Sequence, residues 1–128
     1  MTLSELAKDI RINSTQGSSV PWDRMDDWQK TANAYRVTLR YSGRRLTIDW
    51  WQGNGIRTEP DAASVISALV SDAHAGADTF EDFCSELGYD TDSRKAERVW
   101  RSCQRLNRQL RQLLGADFEQ FSSAENDI

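Results

Sequence analysis

Asp90 and Asp92 stand one residue apart in the stretch GYDTDSRKAERVWRSCQRLNRQLRQLLG, residues 88–115, just ahead of a run of arginines. Alternating carboxylates of this kind open calcium-binding loops, where more oxygen ligands, a glycine and a closing glutamate follow at fixed positions. Here those positions hold Arg94, Lys95 and Arg101. Cations at these places repel a metal ion, so no metal is expected. Cys84, Cys103 and His74 do not make a zinc set, because no second histidine or cysteine pair accompanies them. Both cysteines fall on apolar helix faces and read as buried free thiols. They could be bridged only if the two helix faces packed directly on each other. No serine, cysteine or lysine has a base beside it in a recognisable motif, and one histidine restricts acid–base chemistry. The expectation is a protein without enzymatic activity and without a cofactor.

Binding chemistry is better represented. From Ser93 to Leu114 the apolar residues Ala96, Val99, Trp100, Cys103, Leu106, Leu110, Leu113 and Leu114 share one helical face. Arg94, Arg98, Arg101, Arg105 and Arg108 then fall within a stripe about 80° wide on the opposite face. Each guanidinium carries a planar fork of donors suited to phosphate or carboxylate. Trp22 and Trp28 lie in a polar stretch, where they either anchor a loop or serve as interface anchors. Asp78, Glu81, Asp82 and Glu86 supply a surface of opposite sign. These residues are the candidate partner-binding set.

The charge pattern supports two opposed surfaces. The chain carries a net charge of −4, yet residues 57–92 sum to −8 and residues 93–111 to +6. That asymmetry implies either internal pairing or two faces of opposite sign. A sequence pI near 5.0, with no zinc-finger, RRM or KH signature, argues against a general nucleic-acid binder. There is no apolar run of about 18 residues, hence no membrane span. The N-terminal segment lacks a basic region followed by an apolar one, so a cytoplasmic location is expected.

The elements that must position these groups read as follows. Thr2 caps a short helix, with Glu5 at capping-box spacing. An edge strand is expected at Arg11 to Ser14, within about residues 11–16. Residues 15–33, broken by Gly17 and Pro21, read as a flexible loop. In AYRVTLRYSGRRLTIDWW the period changes to two. The strands are joined by a two-residue turn at Ser42-Gly43 or by a longer loop with a bulge; the two-residue turn sets Leu39 against Leu46, Val37 against Ile48 and Tyr35 against Trp50 on one face. On the other face Arg36 meets Asp49, Thr38 meets Thr47 and, less favourably, Arg40 meets Arg45. Gly53 and Gly55 belong to turn chemistry, since no phosphate-loop ending follows them.

Thr58 with Asp61, or Glu59 with Pro60 at the first helical position, opens a second helix with stripe Ala62, Val65, Ile66, Leu69, Val70 and Ala73. Asp78 caps a third, bearing Phe80, Phe83, Cys84 and Leu87 and closed by Gly88. Asp92 or Ser93 caps the arginine-rich helix, and Asp90 is placed to pair with Arg94.

The predicted fold is a single α+β domain, residues 1–128. A small antiparallel sheet (hairpin 34–51, third strand near 11–16) packs against three C-terminal helices plus the short N-terminal helix. A disordered tail is expected from about residue 120 to 128. Leu39, Leu46, Val37 and Ile48 are expected to pack on Val65, Ile66, Leu69, Phe83, Val99 and Trp100.

PDAASVISALVSDA, followed by TFEDFCSELGYDTDSRKAERVWRSCQ, resembles a group of small accessory proteins encoded by bacteriophages and prophages, over roughly residues 34–114. The run Gly88 to Glu97 is the most specific part. The resemblance implies an inhibitor of host defence, of which anti-CRISPR proteins are one kind. The implied partner is a protein subunit of a CRISPR effector or another defence complex in the host cytoplasm. It carries over no established site. The alternatives are a direct nucleic-acid-binding accessory protein using the arginine face of the helix at 93–114, and an assembly component of the phage particle or replication machinery.

Overall fold

The computed structural model describes residues 2–56 and 58–121. The chain runs through α1 (Leu3–Asp9), β1 (Arg11–Gln16), a 3-10 turn (Trp22–Arg24) and α2 (Asp27–Thr31). It continues through β2 (Asn33–Tyr41), β3 (Arg44–Gln52), α3 (Ala62–Ala75), α4 (Phe80–Leu87) and α5 (Arg94–Leu114) to a 3-10 segment (Gly115–Gln120). The three strands form one antiparallel sheet in the order β1-β2-β3. This is the α+β arrangement that the sequence predicts. No described helix is long and apolar enough to cross a membrane.

The hairpin has the predicted register, with Leu39 opposite Leu46, Val37 opposite Ile48 and Tyr35 opposite Trp50. The turn explains why. Ser42 and Gly43 take φ of 52° and 79°, and positive φ at both central residues is the turn whose twist matches that of the flanking strands. On the outer face Arg36 Nε lies 3.3 Å from Asp49 Oδ1, and the Thr38 and Thr47 hydroxyls are 3.0 Å apart. β1 adds Arg11 opposite Arg40 and Ile12 opposite Leu39. The sheet therefore has one apolar face under α1, α3 and α5 and one largely polar outer face.

Two apolar clusters hold the molecule together. In the larger, Val37, Leu39 and Leu46 meet Leu3, Leu6 and Ile10 around α1, Val65, Ile66, Leu69 and Val70 of α3, and Leu110, Leu113 and Leu114 of α5. In the smaller, Phe83 and Cys84 of α4 meet Ala96 of α5, with Val99, Trp100 and Cys103 against them. The expected packing of the sheet on Phe83, Val99 and Trp100 is thus corrected. A helix of 21 residues spans ~30 Å, enough to serve both clusters. Its C-terminal half covers the strands while its N-terminal half leans on α4.

Several expected boundaries also move. Asp61 itself caps α3, accepting from Ser64 N at 2.8 Å, so neither Thr58 nor Glu59 does. Asp61 offers a carboxylate to the free N–H groups of the first turn, which a buried Pro60 cannot. Thr79, not Asp78, caps α4 through Asp82 N. The stretch expected as a loop at 15–33 carries the end of β1, a 3-10 turn and α2, where Gln29 Oε1 accepts from Asp26 N at 2.9 Å. Residues 120 and 121 do not belong to the expected tail, because Gln120 closes the 3-10 segment and Phe121 is buried in the larger cluster. The remaining part of the tail, 122–128, lies outside the described residues.

Candidate interaction surface on the long helix

Ser93 starts α5 by accepting from Ala96 N, which places Ala96 on the inner face. Three contacts then fix how α5 is rotated. Trp100 Nε1 donates to the Asp78 carbonyl at 3.1 Å, and its ring lies 5.3 Å from that of Phe80. Gly76, at the end of α3, abuts the backbone of Cys103 and Gln104, so that a Cβ there would lie 2.3 Å from the Cys103 carbonyl carbon. Asn107, the buried polar residue of the helix, donates to the Ala73 carbonyl and accepts from Arg111 Nε, each at 2.8 Å. That amide satisfies a terminal carbonyl of α3 that has no partner within its own helix.

With the inner face so fixed, Arg94, Arg98, Arg101, Arg105 and Arg108 all emerge exposed on the outer face. Arg101 lies 2.7 Å from Glu97, one turn earlier. Among the described residues the other four have no carboxylate within ion-pair distance. Asp90 makes no ion pair with Arg94, contrary to expectation; its carbonyl instead accepts from Ser93 N at 3.1 Å to close the turn before α5. A shallow recess of about 540 Å³ lies among Arg94, Glu97, Arg98 and Arg101.

Asp78, Glu81, Asp82 and Glu86 are exposed on and just before α4. None of them reaches the arginine face within ion-pair distance. Glu81 and Asp82 sit in the first turn of α4, where the positive end of the helix dipole favours them. The structure thus gathers the five arginines on one surface and the four acids on another. Trp22 and Trp28 occupy a third place. They remain 64 % and 57 % exposed, although Trp28 meets Trp51 edge-on at 5.9 Å and Lys30 lies over Trp22 at 5.6 Å. Arg24, beside Trp22, shares a recess of about 540 Å³ with Arg98, Cys103 and Asp72, linking this stretch to the edge of the arginine face.

The thiol in that recess is a poor nucleophile. Burial first, and then the Asp72 carboxylate, pushes Cys103 up to about 11, so it stays protonated at neutral pH. Both cysteines are free. Among the described residues, no group of three or more possible metal-ligating side chains comes together. One further basic surface escapes the sequence-derived set: Arg11, Arg40 and Arg45 lie side by side on the outer face of the sheet. The hairpin register already opposes Arg40 and Arg45, but Arg11 joins them only through the pairing of β1. Comparisons with protein-family models, curated proteins and solved structures find no match.

Proposed function

We propose that this protein acts without chemistry, as a phage-type inhibitor of the anti-CRISPR kind. It binds a host effector complex by surface complementarity and blocks nucleic-acid binding or cleavage. The observation that carries this reading is the outer face of α5: five exposed guanidinium groups, of which Arg101 alone is engaged by a carboxylate among the described residues. Such a face is at its most favourable against an acidic or phosphate-bearing surface. The exposed acids around α4 give the same protein a second face, able to imitate a phosphate backbone in a basic channel. The resemblance of residues 34–114 to phage accessory proteins selects host defence as the setting.

Purified protein added to a panel of CRISPR effectors is expected to suppress target binding or cleavage by at least one of them. No effect on any effector type overturns the proposal. A second reading, direct binding of nucleic acid by Arg98, Arg101, Arg105 and Arg108, is favoured by the same lack of carboxylate partners. It requires tight, strongly salt-dependent affinity for free DNA or RNA in the absence of any effector.

A further inference from the structure

Facing pairs on a β-sheet stabilise it when their charges oppose and destabilise it when they match. The outer face of this sheet departs from that rule at one row. Arg11 lies opposite Arg40, and Arg40 opposite Arg45, so three cations stand side by side across all three strands. All three are exposed. Neighbouring strands are about 4.8 Å apart, so the row packs its charges within roughly 10 Å. Asp9 shares a recess with Arg11 and Arg40, yet among the described residues no carboxylate lies within ion-pair distance of any of the three. Among the described residues no ion pair offsets this repulsion.

The rest of the face says what relieves it. The next row is uncharged, Asn13, Thr38 and Thr47. In the row beyond, Arg36 is neutralised by Asp49, whose carboxylate also accepts from the Ser19 hydroxyl at 2.6 Å. Trp51 then ends the same face of β3, with the exposed Trp28 set edge-on against it. From Arg45 to Trp51 the strand rises about 20 Å, room for a few nucleotides of extended chain. Guanidinium forks at one end and indole faces at the other match the two halves of a nucleotide strand, its phosphates and its bases. A duplex hides its base faces, and an acidic peptide offers nothing for the indoles to stack on.

We infer that the outer face of the sheet binds single-stranded nucleic acid, with phosphates held by the Arg11–Arg40–Arg45 row and bases stacked on the Trp28–Trp51 pair. The arginine row is separate from the α5 face, and the proposal does not depend on the inhibitor reading. The α5 arginines project from the helical layer, whereas this row lies on the outer face of the sheet.

The test is fluorescence anisotropy of a labelled oligothymidine, and of the equivalent RNA, about 16 nucleotides long, titrated with the full chain at several salt concentrations. Wild type is expected to bind, with affinity falling as salt rises. The variant R11Q/R40Q/R45Q is expected to lose at least tenfold in affinity, and its salt slope to shrink by about 2, near 0.7 for each phosphate contact removed. Relief of the like-charge row should let it melt at or above the wild-type temperature, which separates lost binding from lost folding; the single variant R40Q repeats the comparison with less disturbance. Trp28→Ala is expected to weaken binding about tenfold. R98Q/R101Q/R105Q, on α5, reports on the α5 reading in the same assay, so failure here and failure of that reading are told apart. The inference is overturned by absence of binding at about 50 mM salt, by full affinity in the sheet triple variant, or by loss confined to the α5 variant. Equal affinity for duplex overturns it too, and stronger competition by polyglutamate would assign the face to an acidic protein instead.

Discussion

Gly76→Ala offers the sharpest test of how α5 is held. Gly76 has φ of −73° and ψ of −11°, a conformation alanine adopts freely, so backbone strain plays no part. The obstacle is contact. The new Cβ would lie 2.3 Å from the Cys103 carbonyl carbon, 2.4 Å from Gln104 N and 2.5 Å from the Cys103 oxygen, where ordinary contact begins at 3.4 Å. The obstructing atoms are helix backbone, so no rotamer change clears them and α3 and α5 must part by about 1 Å. Overpacking of this kind costs about 3 kcal/mol. Alanine also lowers the entropy of the unfolded chain, which returns about 0.4–1 kcal/mol. Contact therefore wins, leaving a net loss of about 2 kcal/mol or more. In urea titrations followed by far-UV circular dichroism, that corresponds to a midpoint lowered by about 1 M. Gly53→Ala is the control: nothing lies within 4 Å of its Cβ, and its midpoint should hold or rise by up to about 1 kcal/mol equivalent. If Gly76→Ala unfolds at or above the wild-type midpoint, the close approach that aims the arginine face outward does not exist in solution.

Other outcomes follow from the same contacts. Asn107→Ala strands the Ala73 carbonyl and removes one partner of Arg111, which keeps Glu119; it should destabilise by about 2 kcal/mol, measured by the same urea titration. Phe121→Ala should cost about 3 kcal/mol, because Phe121 is 3 % exposed in the larger cluster; a neutral effect would return it to the tail. Cys103 binds its proton more tightly folded than unfolded, with a value of about 11 against the ordinary 9.0. Its contribution to stability is therefore intact below about pH 9 and falls as pH rises from there towards 11. Cys103→Ala should flatten that alkaline decline in thermal melts. Native protein at pH 8 should also react with a thiol reagent far more slowly than unfolded protein.

Period-two alternation made the hairpin legible to the residue, because a slip of one position would have turned Leu39 and Leu46 to water. The arginine face was equally plain, since five cations at helical spacing opposite an apolar stripe leave a single orientation. What escaped depended on contacts far apart in sequence. Nothing near Phe83 says that it meets Ala96 and Trp100 rather than the sheet; that follows from α4 packing on the N-terminal half of α5. Phe118 and Phe121 stood beyond the glycine that ends α5, among polar residues too few to show a period. Gly76 looked like an ordinary helix terminator, and its close approach to Cys103 has no local signature. Asp78 and Thr79 both suit an N-cap, and in the fold it is the Thr79 hydroxyl that accepts from Asp82 N. The row of Arg11, Arg40 and Arg45 needed the pairing of β1 with β2, which only a folded sheet supplies.

The central claim is that the outer face of α5 is a working surface and not merely a solvated one. Cleavage of target DNA by purified CRISPR effectors, measured side by side with wild-type protein and with R98E/R101E/R105E, addresses it directly. Wild type is expected to inhibit at least one effector, and the reversed variant, with an unchanged melting temperature, to lose that inhibition. Equal inhibition by both proteins would contradict it.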